Sequence, residues 1–69
     1  MQTLIFNTTK KTVQLFSDSR VSGIVLETFD NVPTVKIETE YYEVIQTTDT
    51  GKVPVLRVPI SNTNMLIER

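Results

Sequence analysis

Thr34-Val35-Lys36-Ile37-Glu38-Thr39-Glu40-Tyr41-Tyr42-Glu43-Val44-Ile45-Gln46 is the most regular stretch of the chain, and its reading decides the fold class. Val35, Ile37, Thr39 and Tyr41 fall on one side and Lys36, Glu38 and Glu40 on the other. Successive side chains of a strand point to opposite faces, so this alternation predicts one long strand, 34–46, with one face in water. The phase then slips, because strict continuation turns Glu43 inward and Val44 outward. A bulge or bend at Tyr41-Tyr42 restores Val44 to the core and is the predicted irregularity.

Downstream, Thr47-Thr48-Asp49-Thr50-Gly51 has the chemistry of a hairpin turn, with Gly51 free to take the positive φ that a bulged loop needs. A strand over Lys52–Val58 pairs back antiparallel. It contains Pro54 and is followed by Pro59, and neither residue has a ladder donor. Prolines an odd number of residues apart point their nitrogens to opposite sides of a continuous strand. The strand is therefore predicted to stop or change partner near Pro59. A polar turn over Ser61–Asn64, with room for one turn of 3₁₀-helix, leads to a final short strand, Met65–Ile67.

Upstream, Thr3–Asn7 reads as a strand with Leu4 and Phe6 opposite Ile5. Thr12–Ser17 reads as another, with Val13 and Leu15 opposite Gln14 and Phe16. The loop Thr8–Lys11 joins them as a hairpin. A third strand is predicted over Val21–Phe29, with Gly23 marking a bulge, a bend or a close backbone approach. Asp30-Asn31-Val32-Pro33 closes it with turn residues.

Composition supports this reading. Alanine, the best helix former, is absent, while valine, isoleucine and threonine supply 26 of the 69 residues. The expected architecture is a single all-β domain, 1–69, of five or six antiparallel strands. Short, bent strands suggest a small open barrel of the SH3-like kind or a strongly curved sheet.

The absent residues also narrow the chemistry. Without cysteine or histidine there is no thiol nucleophile, disulfide, Cys/His zinc site or imidazole base. No catalytic residue, metal site or cofactor is assigned, and the chain is expected to be non-enzymatic. Glu38 and Glu40, two apart on one predicted strand face, could share a hard cation, but they read best as a solvated face balanced by Lys36. The first residues lack a secretory pattern and no apolar run is long enough to span a membrane, so a cytoplasmic protein without membrane contact is expected. Asn7-Thr8-Thr9 matches a glycosylation acceptor and, in that setting, reads as a polar loop.

A net charge of −1 favours neither a basic nucleic-acid arm nor a nucleic-acid mimic. The expected role is a small module that binds another protein and self-associates, of the kind small phage and bacterial genomes use as adaptors, inhibitors or assembly factors. Apolar residues on both strand faces suggest the self-association: Ile5 against Leu4, Phe16 against Leu15, and Leu56 and Val58 against Val53 and Val55. Tyr42, Leu56 and Val58 are the candidate protein-binding residues. The alternative is a small barrel that binds single-stranded nucleic acid through Lys10, Lys11, Lys36 and Arg57 beside its aromatic side chains.

Overall fold

The computed structural model describes residues 1–69 and is all-β apart from one 3₁₀ turn. Seven strands run in chain order: β1 (Gln2–Asn7), β2 (Thr12–Phe16), β3 (Val25–Phe29), β4 (Thr34–Ile37), β5 (Tyr41–Thr48), β6 (Gly51–Pro59) and β7 (Thr63–Glu68). They form two sheets, a four-stranded one ordered β3-β2-β1-β7 and a three-stranded one ordered β4-β5-β6. The chain passes from the first sheet to the second through Asp30–Pro33. It returns through the 3₁₀ turn Ile60–Asn62. No closed barrel forms.

The core lies between the inner faces of the two sheets. Leu4 and Phe6 of β1 and Val13 and Leu15 of β2 meet Val35, Val44 and Val58 of the second sheet, with Val32 contributed by the crossing loop. These are the inward sets that period-2 alternation selects in β1 and β2. The molecule exposes 4511 Å². A folded monomer of its 7.9 kDa is expected to expose about 4,400 Å², so the chain closes on itself as completely as a free-standing domain.

Three expectations are corrected. Stretch 34–46 is two strands: the chain reverses at Thr39-Glu40, Ile37 pairs with Tyr42, and the Glu38 N–H donates to Tyr41 O at 2.9 Å. This reversal, rather than a bulge at Tyr41-Tyr42, brings Val44 opposite Val35 in the core. It also places Glu38 and Glu40 at a turn and not together on a strand face.

The sheets are not purely antiparallel, because β7 pairs with β1 in parallel over six register positions, from Gln2 with Thr63 to Asn7 with Glu68. Finally, β3 begins only at Val25. Residues 17–24 form a tight loop closed by Ser17 N–H to Ile24 O at 2.9 Å and Ile24 N–H to Ser17 Oγ at 3.0 Å.

The proline spacing also has a structural resolution. Pro54 pairs with Ile45 and Pro59 with Tyr41, because the register shifts between Val44 and Ile45 and leaves Val55 as the extra residue on β6. Their partners are four apart on β5, an even number, so both proline nitrogens face the same side, away from β5. β6 therefore runs unbroken to Pro59 as an edge strand. The same bulge lets Val55 and Leu56 both pack against the core.

Candidate functional site

The loop after β2 is built around glycine. Gly23 N–H donates to Ser19 O at 2.7 Å, Ser22 N–H donates to Ser19 Oγ at 3.0 Å, and the Ser19 and Ser22 hydroxyls are 2.6 Å apart. A Cβ at position 23 would lie 2.5 Å from Asp18 N and 2.8 Å from Ser19 O, so only glycine fits. Of the roles open to Gly23, close backbone approach is the one realised.

From this loop Arg20 reaches Glu68 on β7, with Nη2 to Oε2 at 2.7 Å. Glu68 lies on the same side of its sheet as Ile5, since Asn7 pairs with Glu68 and Ile5 with Leu66. The ion pair thus draws the loop back across the outer face of β1. Thr3, Ile5 and Phe16 are buried there although they point away from the core. Their second apolar face is covered by the chain itself and needs no neighbour.

What the folded loop leaves in water is a different apolar run. Val21 is 97% exposed, Ile24 69%, Val25 48% and Leu26 45%. These residues lie on the loop and on β3, the edge strand of the larger sheet. A bulge sets Leu26 out of register, because Leu15 pairs with Glu27 and Phe16 with Val25. Single exposed apolar side chains are ordinary, but here four lie within six residues along one sheet edge.

The expected protein-binding residues lie elsewhere. Val58 is buried in the core, and Tyr42 and Leu56 are half-buried against it on the inner face of the second sheet. The expected nucleic-acid residues separate into two places. Lys10 and Lys11 stand at the β1–β2 tip, whereas Lys36 and Arg57 flank Glu43 in one cross-strand row on the outer face of the second sheet.

In that row Arg57 Nε lies 2.5 Å from Glu43 Oε2, and the guanidinium carbon is 5.1 Å from the centroid of the Tyr41 ring. The hydrogen bond to Glu43, and then the Glu43 charge, raise the Arg57 pKa. The shift favours folding below the ordinary arginine pKa and fades only in strong alkali, so it is constant across neutral pH. Glu43 neutralises one cation and Arg57 occupies a face of the aromatic ring, leaving Lys36 as the row's unpaired charge.

Nothing among protein-family models, curated proteins or solved structures significantly matches the chain. No helix is long and apolar enough to cross a membrane.

A polar cleft of about 440 Å³ lies among Lys11, Asn31, Pro33, Thr47, Thr48 and Asp49. Lys11 and Asn31 have φ of 55° and 54° there, and both sit in turns where that conformation closes the chain. Val32 N–H donates to Lys11 O and Thr47 N–H to Asn31 O, so the two hydrogen bonds tie the β1–β2 tip to β5 through the crossing loop. The exposed Val21–Leu26 run could have been recognised in the sequence as Val21, Ile24, Val25 and Leu26. Strand alternation over 21–29 divides these side chains between two faces, so the pattern alone does not show them as one exposed run.

Proposed function

We propose that the protein is a non-enzymatic interaction module that binds another protein through the surface formed by Val21, Ile24, Val25 and Leu26. The observation that carries this reading is the exposure of all four side chains, two of them on a loop closed by hydrogen bonds among Ser19, Ser22 and Gly23. A preorganised apolar surface loses little conformational freedom on binding, which favours its use as a docking site. Asp18, Glu27 and Asp30, which stand close to this segment in the chain, take part in neither salt bridge of the molecule, so an apolar partner segment with basic neighbours suits it best.

The test is a Val21→Ser/Ile24→Ser variant. Both side chains are exposed, so its circular dichroism and melting temperature should match those of the parent. Proteins retained from a cell lysate by the immobilised parent should be lost or reduced at least about tenfold with the variant, the equivalent of about 1.4 kcal/mol. Equal retention of the same proteins by both would contradict the reading.

A further inference from the structure

Each sheet has two open edges, and three of the four edges carry a feature that blocks strand addition. β6 lacks donors at Pro54 and Pro59 and is bulged at Val55. β4 has only four residues and follows Pro33. β3 is bulged at Leu26. Prolines, bulges and short length are the usual means by which edges avoid pairing with another chain. β7 has none of them: six residues, no proline, and an unbroken register with β1. Leu66 is 42% exposed and Ile67 61%.

The direction of its backbone groups follows from one hydrogen bond. Thr8 N–H donates to Glu68 O, so Glu68, and with it Leu66 and Asn64, turn their peptide groups toward β1. Thr63, Met65, Ile67 and Arg69 therefore present theirs to the free edge.

We infer that β7 pairs with β7 of a second copy, antiparallel about a two-fold axis at Leu66. That centre lets the whole of 63–69 overlap. Met65 then faces the partner copy's Ile67 as a hydrogen-bonded pair, and Thr63 faces its Arg69 in the same way. Leu66 meets itself as a non-hydrogen-bonded pair, where side chains approach most closely. Asn64 faces Glu68, so no like charges are opposed, and apolar residues meet apolar ones. This self-complementarity favours a second copy over an unrelated strand, and an isologous two-fold contact is the commonest way for a protein to close an oligomer.

The two larger sheets become one of eight strands, ordered β3-β2-β1-β7 and its mirror sequence. The two β3 strands end up seven strand spacings apart, or about 34 Å. The consequence for function rests on the binding role of Val21–Leu26: the dimer is bivalent and bridges two copies of its partner.

The sequence has no cysteine, so single substitutions report the register cleanly. Residue 66 opposite itself places the two Cα atoms about 4.5 Å apart, within disulfide range. Full-length Leu66→Cys is expected to form a covalent dimer under mild oxidation, with Asn64→Cys remaining largely monomeric under the same conditions. Sedimentation of the parent over a concentration series should show a monomer–dimer equilibrium.

Ile67→Pro, which removes a free-edge donor without touching the β1 ladder, should abolish that equilibrium. If Ile67→Pro does not fold, Ile67→Lys serves the same purpose through charge at the edge. A monomeric parent at every concentration, a folded Ile67 variant that still dimerises, or equal cross-linking at 64 and 66 would each overturn the inference. Val21→Ser/Ile24→Ser should cross-link through Leu66→Cys as the parent background does, so loss of partner binding and loss of dimerisation are separate results.

Discussion

Leu4→Ala is expected to cost about 3 kcal/mol, near the middle of the range for truncating a fully buried leucine. Leu4 lies on β1, one of the two interior strands of the larger sheet, and is wholly inaccessible, packed with Val13, Val35 and Val44. A 69-residue domain has a total stability of roughly 3–10 kcal/mol, so this one substitution removes a large share of it. Each kcal/mol corresponds to about 4–8 °C of melting temperature in a domain this small, giving an expected fall of about 12–24 °C. A calorimetric scan measures it. A fall below about 5 °C would mean that the two sheets do not enclose Leu4 as described.

Gly23→Ala is the second large effect and acts through backbone. The added methyl carbon would meet Asp18 N and Ser19 O at distances no real contact reaches, and neither atom belongs to a flexible side chain. Forcing a carbon into a filled space costs about 1–3 kcal/mol, so the loop 17–24 is expected to open rather than absorb it. Its opening would release the Arg20–Glu68 ion pair and uncover Ile5 and Phe16. Thermal unfolding should show the stability loss, and partner capture should fall with it because Val21 and Ile24 lose their fixed positions. Unchanged melting with unchanged binding would contradict the role given to the loop. Gly51 differs in kind: space around it is open, and its φ of 126° is what demands glycine.

Much of the fold is legible in local patterns. β1 and β2 appear at nearly their full extents, because Leu4, Phe6, Val13 and Leu15 alternate with residues of the other face and the turn between them is polar. β6 and its hairpin follow from Gly51, whose positive φ is present as the sequence implies. The reversal at Thr39-Glu40 left no trace because neither residue has a positive φ, and no glycine, proline, asparagine or aspartate marks it. Alternation simply continued through a turn.

The parallel pairing of β7 with β1 was hidden for a different reason. It joins residues about sixty positions apart, and no local propensity encodes which strand a chain end will meet. The bulge at Val55 reconciled two prolines that a regular strand could not place on one edge.

The candidate site was less legible than the fold. Leu56 and Val58 lie on the strand that carries the prolines and Tyr42 on its neighbour, yet all three turn inward, because Tyr42 pairs with Val58 and Leu56 with Val44 on the core side of the sheet. The exposed surface comes from a segment where glycine and serine closed a loop, and loop closure depends on contacts that strand periodicity does not describe. Edge character, the property that sets both proposed interactions apart, is readable only after the strand order is known.

Residue-resolved amide hydrogen exchange over a concentration series tests the central claim, that a free β7 edge is the surface through which two copies join. Leu66, whose amide faces β1, should be protected at every concentration. Met65 and Ile67, whose amides face outward, should exchange rapidly when dilute and gain protection of about tenfold or more as the dimer forms, while Lys52 and Arg57 on the proline-bearing edge stay unchanged. Protection at Met65 and Ile67 that does not vary with concentration would contradict the account.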